Sequence, residues 1–386
     1  METEIGVKTK KRTSMKISLV FLGSTGAGPV YSYEMARALS ADRRCQLQII
    51  VSENVENLEL WKNTFDGSNA AFHVVKTYKR SMSSVFFNTF NIVRKYRVYA
   101  LIRDFHPDVL YSPFALMWER FLFGLMHGKA HVVKTIHDVT LHDSYRNLSD
   151  FFTNLLNYGS MCYVDSIVLL NHRDVPLVEE RYHKPVVVIP HACFDYYFQH
   201  HTGNNGIKKT IGFIGRIEPY KGLDLLIEAF KQLRTTDIRL LIAGFGKIEP
   251  ELAGEIRKNP RIEVINRYIE DTEVQTIIEK TDFFVLPYKR ASQSGVIPMC
   301  FAGGKTVIAT NVGALSEQVP EGTGLLVSPQ ADEIAKAIDY LYEHPTLIGQ
   351  YGTTAYSYAT THLTWKHSAE QLLDFLFSST RNKKRQ

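Results

Sequence analysis

Short apolar runs recur along the chain, each closed by glycine, proline or asparagine, and most are followed by a stretch with helical spacing. Residues 16–23 (KISLVFLG) form the first run, which GSTGAGP ends. In VYSYEMARALS (30–40), Val30, Tyr33, Met35, Ala38 and Leu39 then share a helical face. CQLQIIVS (45–52), PDVLYSP (107–113), HVVKTIHD (131–138), SIVLLN (166–171) and PVVVIPH (185–191) read as further strands. Strands that are apolar at nearly every position are buried on both faces. Their order with intervening helices predicts a parallel sheet covered on both sides.

A polar stretch rich in Gly and Asn follows, FDYYFQHHTGNNGIKKT (194–210), and then the pattern restarts. TIGFIGR (210–216), RLLIAGFG (239–246), IEVINRY (262–268), DFFVLPY (282–288), TVIAT (306–310) and GLLVSP (324–329) are the expected strands of a second half. The fold class is therefore α/β, with two successive Rossmann-like domains whose parallel sheets face a central cleft. The expected divisions are a disordered basic tail at 1–14, a first domain at 15–193 and a linker at 194–209. A second domain follows at 210–365, then a closing helix at 366–386 that packs back toward the first domain and ends in a basic tail. Ligands of open parallel sheets bind beyond the carboxyl ends of the strands.

Composition narrows the classes. A chain of 386 residues has room for two domains. Its 45% hydrophobic and 22% charged content is that of a soluble globular protein. The formal net charge of +5 owes much to KTKKR (8–12) and RNKKRQ (381–386). These runs read as solvated tails, and without a recognisable nucleic-acid module no nucleic-acid partner is expected. Cys45, Cys162, Cys193 and Cys300 lie far apart with no CxxC pair. Buried free thiols in a reducing compartment are expected of them, and no metal site. No signal peptide or apolar run of transmembrane length stands out, so a cytoplasmic location is expected.

The candidate chemistry lies in the second half. In IGFIGRIEPYKGLDLLIEAF (211–230) a strand turns at Gly215 and presents Arg216 and Lys221 before a helix carrying Leu226, Phe230 and Leu233 on one face. Two cations beside a helix N-terminus suit a diphosphate. LLIAGFGK (240–247) ends a strand in Gly244-Phe245-Gly246. In PYKRASQSGVIPMCFAGGK (287–305), Gln293, Ser294, Gly295 and Val296 belong to a small polar loop whose N–H groups suit phosphate or sugar oxygens.

GRIEPYKGLDLLIEAF, LLIAGFGK, INRYIEDTEV and SQSGVIP…AGGKTVIATNVGALSEQV together resemble the donor half of family 4 glycosyltransferases, which are retaining, nucleotide-sugar-dependent enzymes of GT-B fold. The resemblance covers roughly the whole folded chain and is more specific in the second half. It implies that Arg216 and Lys221 neutralise a donor pyrophosphate, with Gly215 and Gly244 in the adjoining turns. It places Arg267 by the nucleotide base and Gln293, Ser294, Gly295 and Val296 over the donor sugar and phosphates. Gly26, Ala27 and Gly28 match the Gly-rich loop of the first domain, and His137 matches a histidine that contacts the donor sugar or the acceptor. His191 is expected to be structural. No cofactor is implied beyond the substrate itself, a UDP- or GDP-hexose.

The chain departs from the family at one point. Two glutamates usual in the family fall at Ala291 and Met299 here, which puts the ribose contact in doubt. The implied function is hexosyl transfer to a saccharide or lipid-linked saccharide in polysaccharide biosynthesis. A catalytically degenerate nucleotide- or sugar-binding subunit of the same fold is the alternative. Residues 79–103 mix Phe86, Phe87, Phe90, Val93 and Ile102 with Lys79, Arg80, Arg94, Lys95, Arg97 and Arg103. That pattern fits a peripheral helix on an anionic membrane at its inner face, and equally a core-packed helix with a solvated basic face.

Overall fold

The computed structural model describes residues 14–77, 91–116, 118–139, 159–199 and 206–383. The first domain runs β1 (Met15–Phe21), α1 (Ala27–Ala41), β2 (Cys45–Ser52), α2 (Leu58–Phe65), β3 (Ala71–Val75), α3 (Ile92–Phe105), β4 (Val109–Ser112), α4 (Glu119–Met126), β5 (His131–Ile136), β6 (Ser166–Leu169), α5 (Val175–Tyr182) and β7 (Val186–Val188). Its sheet has the order β3-β2-β1-β4-β5-β6-β7, and every pairing is parallel. The second domain follows the short helix α6 (Asp195–Phe198). It comprises β8 (Thr210–Ile214), α7 (Leu223–Lys231), β9 (Arg239–Gly244), α8 (Pro250–Lys258), β10 (Ile262–Asn266), α9 (Asp271–Lys280), β11 (Phe283–Leu286), α10 (Val296–Ala302), β12 (Val307–Thr310), α11 (Leu315–Gln318), β13 (Gly324–Val327) and α12 (Ala331–Glu343). The order of this parallel sheet is β10-β9-β8-β11-β12-β13. The α/β expectation of two parallel-sheet domains holds.

Both sheets start in the middle, wind outward to one edge, and then return to build the other. The reversal falls between β1 and β4 in the first domain and between β8 and β11 in the second. Chains leaving the two strands at such a point diverge to opposite faces and open a crevice at the carboxyl end.

The strands form because their side chains are apolar on both faces. Ile17, Leu19, Val20 and Phe21 of β1 are buried, as are Ile211, Phe213 and Ile214 of β8. Buried polar groups are paired: Ser18 Oγ donates to Gln48 Oε1 at 2.5 Å, and Gln48 Nε2 donates to the Leu101 carbonyl at 2.9 Å. A buried ion pair, Lys134 Nζ to Glu119 at 2.5 Å, is completed by Ser160 Oγ and the Leu116 N–H. Leaving either charge alone at that depth costs far more than the pair gains.

The end of the chain crosses back. α13 (Pro345–His362) packs on the second domain, and α14 (Trp365–Lys383) lies against α1. Trp365, Leu372, Leu373 and Leu376 enter the core of the first domain. The crossing is tied to the end of the first domain by Cys193 N–H donating to the Leu363 carbonyl at 2.7 Å.

Several expectations need correction. β3 is an edge strand that the apolar runs did not announce, because its residues are mostly half-buried. The stretch expected to be linker opens with α6. All four cysteines are free, but only Cys193 and Cys300 are buried, while Cys162 is exposed. In α3, Val98, Tyr99 and Ile102 face the core, while Ile92 and Val93 stand 68% and 64% exposed. Residues 79–90 of the same amphipathic stretch, the tail at 1–13 and residues 200–205 of the linker lie outside the described residues. No described helix is long and apolar enough to cross a membrane.

Candidate active site

A cavity of 620 Å³ lies between the two domains at the carboxyl ends of both sheets. Three loops of the second domain shape it. The first leaves β8, and its backbone is locked to the strand beside it: Gly215 N–H donates to the Ala243 carbonyl at 2.9 Å and Ile217 N–H to the Phe245 carbonyl at 2.8 Å. With its two neighbours bonded to one side, Arg216 between them faces the cleft. Its guanidinium lies 5.7 Å from the centre of the Phe245 ring.

Lys221 lies just before the helix, as its position in the sequence suggested. It ends a one-turn 3-10 segment, Pro219–Lys221, and α7 begins two residues later. Gly222 makes the hand-over with φ of 69°, and a Cβ there would stand 2.0 Å from the Pro287 carbonyl oxygen. Only glycine fits that turn. The turn folds Lys221 over the Tyr288 ring, with Nζ 5.1 Å from its centre. Burial, with a smaller push from Arg216, holds the Lys221 ammonium below the usual lysine range against the opposing pull of Tyr220 and Glu218.

The loop after β11 supplies the third wall. Ser294 is held by the Gln318 side chain through two bonds: Ser294 N–H donates to Oε1 at 2.7 Å, and Nε2 donates to the Ser294 carbonyl at 3.0 Å. Ser292 Oγ donates to Asp138 of the first domain. Between these two anchors, Gln293 lines the cavity with its Oε1 buried and without a hydrogen-bond partner among the described residues. A bound N–H or O–H donor would satisfy that acceptor. The loop after β9 is steadied in the same manner. The Asn266 side chain receives the Gly246 N–H at 3.2 Å and donates to its carbonyl at 3.1 Å, which fixes the neighbouring Phe245 at the rim.

Ala27, Gly215, Arg216, Lys221, Gly244, Gln293, Ser294, Gly295 and Val296 thus meet around one cavity. Four of the sequence candidates stand outside its lining. Gly26 caps α1 beside Ala27, and Gly28 packs on Phe21 and Phe114. Arg267 turns away to an exposed ion pair with Glu273 at 2.6 Å, and its neighbours Tyr268 and Ile269 face the cavity instead. His137 sits just behind the wall, against Tyr31 and Phe114, and Nε2–H donates to the Pro113 carbonyl at 2.9 Å. Burial pushes its pKa down to about 4, so the ring is neutral and Nδ1 carries a free lone pair.

Sequence reading missed an aromatic lining. Tyr196, Tyr197, Tyr220, Phe245, Tyr268 and Tyr288 all border the cavity, as do Asp138 and His191. The aromatics at the ends of β9 and β10 were visible as residues, but strand ends beside each other in space are not adjacent in sequence. Ala291 and Met299 also line the cavity and bring only carbon and sulfur where the resemblance led one to expect carboxylates. Among the described residues no group of three or more His, Cys, Asp and Glu could hold a metal ion.

Two parallel-sheet domains of this kind make up the GT-B fold that this chain shares with solved glycosyltransferases. Residues 208–344 match the family model described as Glycosyl transferases group 1. A D-inositol 3-phosphate glycosyltransferase of Nocardia farcinica is 31% identical over 178 residues, covering 42% of this chain and 39% of the relative. The chain spans about two fifths or less of the length of the first curated relatives it matches. Two solved structures share the fold over nearly the whole chain. A glycosyltransferase from Rickettsia africae superposes with a TM-score of 0.71 at 17% identity, covering 96% of this chain and 99% of its own. Alr3699/HepE of Anabaena, solved in complex with UDP, gives a TM-score of 0.69 at 15% identity over 94% of this chain and 100% of its own.

The depressed Lys221 predicts a pH dependence. A diphosphate beside Lys221 favours the ammonium and raises its pKa, so above the free protein's pKa binding must take up a proton. Affinity for inorganic pyrophosphate therefore falls as pH rises through the alkaline range, and Lys221→Ala flattens that slope. Calorimetric titration across about pH 7 to 10 reads it, and equal slopes in the two proteins would contradict the geometry.

Proposed function

We propose that the chain is a retaining hexosyltransferase of family 4 type that moves a hexose from UDP- or GDP-hexose to a saccharide or lipid-linked saccharide in polysaccharide biosynthesis. The observation that carries this reading is the convergence of Arg216 and Lys221 on one cavity between the domains. The UDP in the Anabaena structure supports a nucleotide in the corresponding crevice of that fold. In the proposed reaction the bond from sugar C1 to the diphosphate oxygen breaks while the acceptor oxygen bonds C1 on the same face. The acceptor proton passes to the departing diphosphate, which leaves as the nucleoside diphosphate. Arg216 and Lys221 stabilise the charge that builds on the leaving oxygen, where a partly desolvated ammonium acts most strongly. Gln293 Oε1 is assigned a hydroxyl of the donor, and the aromatic rim (Phe245, Tyr268) the base.

Gly26, Ala27 and Gly28 would border the donor from the first domain, and the neutral His137 would act through its Nδ1 lone pair. No metal or cofactor is assigned a part. A second reading rests on Ala291 and Met299. With carboxylates absent there, the cleft could bind a nucleotide without turning it over. Slow hydrolysis of a nucleotide sugar in the absence of acceptor separates the two, because a pure binder releases no sugar.

The exposed Ile92, Val93 and Arg97 of α3 support a further element of the proposal, attachment to an anionic membrane from the cytoplasmic side. Flotation with vesicles containing anionic phospholipid should carry the protein upward, and less so for Arg97→Glu; protein left at the bottom of the gradient rules the attachment out. For the reaction itself, Arg216→Ala and Lys221→Ala should each cut donor turnover roughly a hundredfold or more while the melting temperature stays near that of the parent. Parent-like turnover in both variants would remove the pyrophosphate assignment.

A further inference from the structure

Between β12 and β13 lies α11, a single turn of helix with two adjacent polar side chains that face different partners. Glu317 reaches across the domain boundary. Its carboxylate accepts the backbone N–H of His172 at 2.6 Å and that of Arg173 at 2.7 Å, both in the turn between β6 and α5 of the first domain. Gln318 stays within the second domain and holds Ser294 by both its N–H and its carbonyl. The same loop is gripped from the first domain at Ser292, by Asp138 and by Asn171 Nδ2 at 3.4 Å from the Ser292 carbonyl.

We propose that α11 couples domain closure to the shape of the cleft, with Glu317 latching the first domain and Gln318 acting as a positioning residue that aims Gln293. The inference rests on the reading of the cleft as a nucleotide-sugar site, but its structural half stands without it. Gln293 lies between Ser292 and Ser294, and each of these is fixed by a separate set of bonds. Opening the domains breaks the bonds of Ser292 and those of Glu317 together, because all of them end on the first domain. The Ser294 backbone then keeps Gln318, carried on a one-turn helix that has lost its outer anchor, while its Oγ stays against Tyr288 OH and the Val296 N–H, both at 3.2 Å. Closure thus sets the loop in its binding shape, and a ligand on the loop favours closure in return. A charged carboxylate on two N–H groups is a strong pair of bonds when formed, and its exposure to water lets it be exchanged readily.

Hydrogen–deuterium exchange on the full chain, without ligand, tests the coupling. Glu317→Ala should speed exchange at His172 and Arg173 about tenfold and also speed it at Ser294, which Glu317 does not touch. Glu317→Gln, which keeps one acceptor oxygen, should fall between. Faster exchange at 172 and 173 with Ser294 unchanged would overturn the coupling. Gln318→Met, of similar length but without either bond, should weaken binding of UDP or GDP about tenfold and raise the donor KM more than it lowers kcat, with partial rescue by Gln318→Glu. Nucleotide affinity equal to the parent's in Gln318→Met would overturn the positioning role. If the parent protein binds neither nucleotide, the proposed function fails, and the exchange at Ser294 still decides the coupling.

Discussion

A turn that closes only with glycine at 222 shapes the cleft. It folds Lys221 back over Tyr288 and leaves the ammonium beside Arg216, in a place where water no longer fully compensates for its charge. Keeping two cations together in such a place is unfavourable in the empty protein, and an anion between them relieves it. The glycine turn, the lock between the β8 and β9 loops and the desolvation by Tyr288 are therefore one device. Its position follows from the order of the sheet. β8 and β11 are neighbours whose following segments leave to opposite faces, so the loops carrying Lys221 and Ser294 border the same crevice.

The first domain contributes less chemistry and more constraint. Asp138 and the turn at 171–173 grip the loop and helix that lie across the cleft, and α14 returns from the end of the chain to pack on α1. The domains are thus joined by two crossing segments, which meet at the bond between Cys193 and Leu363.

Much of this was legible in the sequence, for a physical reason. Fully buried parallel strands must be apolar on both faces, so β1, β2, β8 and β9 announced themselves. The edge strand β3 did not, since an edge buries only part of each residue. That Arg216, Lys221 and the 293–296 loop line one cavity was legible because each lies in the segment that follows a strand, and ligands of such sheets sit beyond the carboxyl ends of strands. Arg267 followed a strand as well, yet an acidic partner six residues on, Glu273, holds it aside. Gln318 was invisible for the opposite reason. Nothing local marks it, and its importance comes from a loop 24 residues earlier that the fold brings against it.

The most direct test of the account is thermal stabilisation by nucleotides. UDP, GDP, ADP and their hexose derivatives would each be added at a large excess while the melting temperature is followed. A ligand at a hundredfold excess over its dissociation constant adds about 2.7 kcal/mol to the folded state, a clear upward shift. The account predicts that one diphosphate family raises the melting point and that Lys221→Ala abolishes the rise. No shift with any of them would contradict the claim that the paired cations form a nucleoside-diphosphate site.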